Sequence, residues 1–282
     1  MHRKLFFVAC ALAVSACGSA KSPSEPTDPN VVLYTALGAS DTTGFGGSVV
    51  CLPLVACANG TGYVQTVERR FSTSGKTVTL LNLGIPGAVL SPQMQTLGNS
   101  LGRGIVANFI EREVPFVQRD ATLVTVFAGG NDANTVGAAL QAGMGGIDPA
   151  AYVQTHVDNF GRDLRTLLTG VKDRASDARV VFLNLPNLAG LPYAAGNSLN
   201  EKRWLQQISV GFSAQVNALR SQGALVIDLM CDGAFYQPGM YSGDGFHPND
   251  AGYARLADLV YGAASTGSAT PPRSSCPQMS LF

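Results

Sequence analysis

Five short apolar runs punctuate this chain, each ending near Gly, Pro or a polar residue: VVLYTALG (31–38), TVTLLNLG (77–84), ATLVTVFAGG (121–130), ARVVFLNLP (178–186) and ALVIDLM (224–230). They are mostly continuous rather than alternating, the pattern of strands covered on both faces, as in a parallel sheet. Helical periodicity lies between them. Over 149–174 the residues Val153, Val157, Phe160, Leu164, Leu167 and Val171 recur at three- and four-residue steps; Leu205, Ile208, Phe212, Val216 and Leu219 do the same over 201–221. A third segment, 249–263, reads as a closing helix, and all three stripes face a core. The alternation predicts one three-layer α/β/α domain over 31–265, built on a mainly parallel five-stranded sheet. A chain of 282 residues is long enough for such a core, and it carries no internal repeat and no sign of a second domain.

Ahead of the first run, Arg3 and Lys4 precede an apolar stretch from Leu5 to Ala16. It is too short to span a bilayer as a helix and is built like the apolar region of a signal peptide. Val14-Ser15-Ala16-Cys17 resembles the lipobox of bacterial lipoproteins, which implies a signal peptide at 1–16 and a lipid on Cys17. Ordinary secretion with cleavage near Ala16 is the alternative, and both readings export the protein to or through the cell envelope. Residues 17–30 form a Pro/Ser-rich tether with nothing to bury. Without Arg3 and Lys4, 17 of the 19 basic residues face 19 acidic ones, a net charge of −2. With no long basic run, nucleic acid is not an expected partner.

Of six cysteines, Cys10 lies in the leader and Cys17 is the expected anchor. Cys51, Cys57, Cys231 and Cys276 remain, an even number that in an oxidising compartment predicts two disulfides with three possible connectivities. The expected pairs are Cys51–Cys57, which closes the short loop CLPLVAC, and Cys231–Cys276. The second pair would tie the polar, Pro-rich tail (266–282), otherwise unstructured, to the end of the fifth run.

The chain has three histidines, one of them in the leader. His247 stands in the Gly/Pro-rich stretch YSGDGFHPNDAG, three positions after Asp244. An aspartate that orients a histidine is the base half of a nucleophilic triad. Two serines compete to complete it. Ser100 in GNSLG matches G-x-S-x-G, but that motif requires a strand-to-helix turn, and SPQMQTL before it is not a strand. Ser40 in YTALGASDTTGFG directly follows the first run. In an open parallel sheet, ligands bind beyond the carboxyl ends of the strands. Ser40, Gly87 in NLGIPGA, Asn131 in FAGGND and the Asp244–His247 loop all follow strand ends. Taken singly, each has a plainer reading: Asp244 as a turn residue, Asn131 and Asp132 as helix caps, and His156 as a helix-surface or packing histidine.

Together these segments resemble the SGNH/GDSL hydrolase family from about Val31 to Ala264, with four motifs in the family's order. GASD is similar to the nucleophile block, NLGIPG to the second, GGND to the third and DGFHP to the D-x-x-H block. The resemblance implies a flavodoxin-like fold and a catalytic triad of Ser40, Asp244 and His247. It also implies an oxyanion hole built from the backbone N–H groups of Ser40 and Gly87 and the side-chain amide of Asn131, with Gly84 as a rival to Gly87. The sequence departs from the family at Ala39, where the usual motif has an acid. That acid is not the triad aspartate.

The implied activity is a serine esterase working through an acyl-enzyme, with no cofactor and no metal. With two histidines outside the leader, a His-rich metal site is not expected. The expected substrate is a small-molecule, lipid or carbohydrate ester, the expected membrane contact is through lipidated Cys17, and the expected state is a monomer. An envelope transacylase and a non-catalytic envelope binding protein would use the same fold. The segments 47–57 and 187–196 are apolar and poor in charge, which favours short to medium acyl chains if they flank the crevice.

Overall fold

The computed structural model describes residues 28–282, so the expected leader, Cys17 and most of the tether lie outside the described residues. From Val31 the chain alternates strand and helix. It runs through β1 (Val31–Gly38), the single turn α1 (Ser40–Thr43), α2 (Tyr63–Thr73), β2 (Thr77–Asn82), α3 (Pro92–Ser100) and α4 (Phe109–Arg112). Then come β3 (Leu123–Phe127), α5 (Gly130–Gln141), α6 (Pro149–Arg174), β4 (Arg179–Leu183), α7 (Leu199–Ala218), β5 (Leu225–Ile227) and α8 (Asp250–Thr266).

The five strands form one sheet of order β2-β1-β3-β4-β5, and every neighbouring pair is parallel. This is the flavodoxin-like doubly wound order. The register sets Gly38, Phe127, Leu183 and Ile227 side by side in one row at the carboxyl edge. The sheet's two faces divide the apolar side chains by parity. Leu37, Val124, Val126, Val180 and Phe182 pack with residues of α3 to α7. Tyr34, Ala36, Leu123, Val181 and Leu183 pack with α2 and α8. Cover on both faces is why the central strands read as continuous apolar runs. Edge strand β2 is only partly covered and alternates in exposure.

Four runs overshoot their strands, among them 178–186, which continues past the end of β4 at Leu183. TVTLLNLG stops being a strand at Asn82, because the following residues leave the sheet to wrap the turn after β1. A Cβ on Gly84 would fall 1.6 Å from Thr42 Oγ1, so only glycine permits that approach. The run 121–130 holds strand only at 123–127 before Gly129 turns the chain into α5. In 224–230 only Leu225–Ile227 is strand. The helix expected at 201–221 starts at Leu199, set by a reciprocal capping box between Ser198 and Glu201, and ends at Ala218.

The tail after α8 is packed rather than loose. Gln206 on α7 accepts from the N–H groups of Leu281 and Phe282, and its own amide donates to Phe282 O. The Asn187 amide donates to Gln278 O at 2.8 Å, and the Arg273 N–H donates to Asp228 Oδ2 at 3.0 Å. Composition gives no hint of this, because side chains elsewhere in the chain satisfy the tail's backbone. Disulfides join Cys51 to Cys57 and Cys231 to Cys276, each pair with Cα atoms 5.8 Å apart.

Candidate active site

At the carboxyl edge the strand order reverses between β1 and β3, which opens a crevice there. Ser40 is the first residue of α1, two positions past the end of β1, and is 7% exposed. The turn beneath it is clamped from several sides. Thr42 Oγ1 donates to Ala39 O at 2.7 Å, and the Asn82 amide donates to Thr42 O at 2.7 Å while its oxygen accepts the Gly84 N–H. Glu113, just past α4 and fully buried, accepts the Gly38 N–H at 2.8 Å. Burial pushes the Glu113 carboxyl well above the ordinary carboxylate range, against the pull of that N–H.

His247 stands in the turn between β5 and α8. An antiparallel bridge from Tyr241 to Pro248 and the Asn249 cap of α8 hold this turn in place. Asp244 Oδ1 accepts from the Ser242 hydroxyl and from the backbone N–H groups of Phe246 and His247. Its Oδ2 lies 2.6 Å from His247 Nδ1. Partial burial works against the carboxylate. These donors together outweigh it and hold Asp244 well below its ordinary range. With Nδ1–H donating to Asp244, His247 Nε2 is the acceptor for the Ser40 hydroxyl 2.8 Å away. Phe45 and Phe246 pack edge-on against the imidazole, with ring centroids 4.7 and 5.0 Å from it.

Three candidate donors lie in the serine turn and in the segments that follow β2 and β3. The Ser40 N–H is at the start of α1 and is not used within the helix. Of the two candidate glycines, Gly84 already donates its N–H to Asn82 Oδ1. Gly87 sits in the left-handed region at φ 81, with open space where a Cβ would be. Asn131, near the start of α5, spends one amide hydrogen on Ala88 O at 2.9 Å and keeps the other. Its neighbour Asp132 accepts the Leu90 N–H at 2.9 Å. The Asn131–Asp132 pair thereby pins segment 88–90 and, with it, the Gly87 turn. Burial pushes Asp132 up to about 7, against the N–H bonds from Leu90 and its own backbone.

Beside the serine lies a narrow cavity of about 40 Å³, walled by side chains such as Ala39, Asn131, Leu185, Leu188 and Phe246, with Asp41 also on its wall. Its lining is mostly apolar. Leu191, from the segment 187–196 expected to flank the crevice, lines it too. The other expected flank behaves differently: Leu52, Leu54 and Val55 are 58–70% exposed and do not line the cavity.

Ser100 is exposed at the end of α3 and its hydroxyl donates to Leu97 O. His156 packs against Tyr152 on α6. Neither joins the Ser40–His247–Asp244 group. Sequence reading passed over Asn82 and Glu113. Asn82 stands inside the NLG stretch. Glu113 gave no signal, since it reaches Gly38 across 75 residues of sequence.

The family described as GDSL-like Lipase/Acylhydrolase matches residues 36–255. No curated protein sequence matches this one. Among solved structures, a lipase from a goat rumen metagenome is similar at 21% identity and a TM-score of 0.56, over 83% of this chain and 97% of that one. An extracellular lipase from Streptomyces rimosus is similar at 18% identity and 0.52, over 83% and 99%. An acetyl xylan esterase from Geobacillus stearothermophilus is similar at 17% identity and 0.52, over 86% and 97%. At these identities the likeness is one of fold.

Proposed function

Because this chain belongs to the GDSL-like lipase/acylhydrolase family and is an ester-hydrolysing enzyme, we propose that it is a serine esterase whose nucleophile is Ser40, base His247 and orienting acid Asp244. The observation that carries the reading is the unbroken line of hydrogen bonds from Asp244 Oδ2 to His247 Nδ1 (2.6 Å) and from His247 Nε2 to Ser40 Oγ (2.8 Å).

A serine hydroxyl attacks a carbonyl only as a base removes its proton. His247 takes that proton and returns it to the leaving alcohol, and Asp244 fixes the tautomer and stabilises the imidazolium. The tetrahedral oxyanion receives the N–H groups of Ser40 and Gly87 and the free amide hydrogen of Asn131. One such donor supplies about 3–4 kcal/mol of transition-state stabilisation in comparable sites. Water then hydrolyses the acyl-enzyme, with the same histidine acting in reverse.

The narrow apolar cavity favours short to medium acyl groups. A lipase and an acetyl xylan esterase share the fold, so both lipid and acetylated carbohydrate esters belong in the substrate panel. The two disulfides support an exported enzyme. Lipidation at Cys17 is part of the proposal and is read by labelling with a tritiated fatty acid. The purified protein is tested on p-nitrophenyl esters from acetate to palmitate, alongside acetylated xylan and a lysophospholipid. Turnover should be highest from acetate to octanoate and fall away for palmitate, and Asn131→Ala should lower kcat on the best ester. Deacetylation of xylan that far outpaces every simple ester would overturn the preference.

A further inference from the structure

The acid missing before the serine stands after it. In GASD, Ala39 precedes Ser40 and Asp41 follows, in the first turn of α1 and on the wall of the cavity beside the serine. The mechanism makes no use of this carboxylate. It accepts a hydrogen bond from its own backbone N–H, and no side-chain donor of another described residue reaches it. The described ion pairs are Arg70–Asp258, His247–Asp244 and Arg255–Asp232, so no described Lys or Arg pairs with it. Among basic side chains only His247 is within its electrostatic reach, and His247 is already committed to Asp244.

Asp41 is partly exposed, so water solvates it in the free enzyme, and an acyl chain that displaces this water without replacing its hydrogen bonds leaves a costly unpaired carboxylate. The first turn of a long helix could shelter it, but α1 is a single turn of four residues with a correspondingly weak dipole. The other wall groups are mostly apolar, so an incoming chain meets one strong acceptor a few bonds from the serine.

We propose that Asp41 is the acceptor for a hydroxyl or ammonium group on the acyl part of the substrate, so that the enzyme selects short hydroxyacyl or aminoacyl esters over plain ones. This rests on reading Ser40 as the nucleophile. An acyl group attached there enters the cavity past Asp41, which places the donor at about the second or third carbon of the chain. A site built to bond a donor discriminates against the substrate that lacks it, because the acceptor is then buried unpaired.

The test compares p-nitrophenyl butyrate, 3-hydroxybutyrate and 3-aminobutyrate as substrates of the full enzyme. We expect kcat/KM for at least one donor-bearing ester to exceed that for butyrate by about tenfold or more. Asp41→Ala should bring both ratios close to one. Asp41→Asn, which keeps the shape and loses the charge, should abolish an ammonium preference and keep part of a hydroxyl preference, which separates the two sources of the donor. Thermal unfolding of each variant shows whether the fold is intact, and the Asn variant carries the test if the Ala variant is unstable. Ratios that are the same in all three proteins, or a wild-type preference for butyrate, would overturn the inference while leaving the esterase reading in place. Failure of a fluorophosphonate probe to label Ser40 would overturn both.

Discussion

His247 Nε2 lies 2.8 Å from Ser40 Oγ, although the two residues are 207 positions apart in the chain. Parallel strands make this meeting possible: β1 delivers the serine and β5 the histidine to the same rim of the sheet. The contact therefore depends on the whole domain and on no local segment.

Ser40→Ala should reduce kcat on p-nitrophenyl butyrate on the order of 10⁴-fold or more, while Ser100→Ala leaves it nearly unchanged. Ser100 is exposed at a helix end and bonds only to Leu97 O. Mass spectrometry after fluorophosphonate treatment should find the label on Ser40. A label on Ser100 would refute the assignment.

Asp244→Asn should cost on the order of 10⁴-fold in kcat, since the amide favours the wrong imidazole tautomer. It should also change how stability responds to acid. The four donors hold the Asp244 carboxyl below its unfolded value. Its contribution to stability is therefore present above about pH 4 and is lost as pH falls through the lower folded value. Urea denaturation from pH 7 down to pH 3 should show wild type and variant converging at the acid end. A constant gap across that range would argue against the shift.

Asp132 has the opposite sign. Burial raises it to about 7, so its contribution is fully present below the unfolded value of about 4 and is lost as pH rises through 7. The full shift corresponds to roughly 4 kcal/mol as an upper figure. Asp132→Asn keeps an oxygen for the Leu90 N–H and removes the ionisation. Its stability relative to wild type should improve steadily between pH 4.5 and 8 in denaturant titrations. Parallel stability curves would show that Asp132 does not titrate there.

Cys276→Ser opens the bridge to Cys231, which closes a loop with a sequence separation of 45. Chain entropy gives roughly 4 kcal/mol for such a loop, against roughly 2.4 kcal/mol for the short Cys51–Cys57 loop. The midpoint of thermal unfolding should therefore fall further for Cys276→Ser than for Cys57→Ser. Because the tail also bonds to Gln206 and Asn187, it should stay partly docked in the variant. Limited proteolysis that removes the tail immediately would show that the disulfide alone holds it.

The central sheet was legible because its strands are sealed on both faces and so carry uninterrupted apolar runs. Helix α6 was legible to the residue, through its stripe from Val153 to Val171. Helix α5 was not, because GNDANTVGAALQ packs largely through Ala and Gly and offers only Val136 and Leu140 as large apolar residues to count. Strand ends were overrun wherever apolar residues continue past the last ladder bond, as at Leu83. Ser40, Asp244, His247 and Asn131 could be singled out because each sits in a short local pattern at a strand end. The supports could not: Glu113 under Gly38 and Gln206 under the tail act through contacts that exist only once the chain has folded.

All five strands point the same way, which gives the domain a front and a back. The crevice opens at the rim where β1 ends, and the chain enters at the opposite rim, near Asp28, where β1 begins. Whatever joins the domain ahead of Asp28 therefore grips it from behind. A domain fixed to a bead, a resin or a bilayer by that end presents its crevice outward, to molecules arriving from solution rather than to the surface that holds it. For immobilised use, the amino end is the one to attach. A carrier fused at the other terminus would crowd the tail that Gln206 and Cys231 hold down.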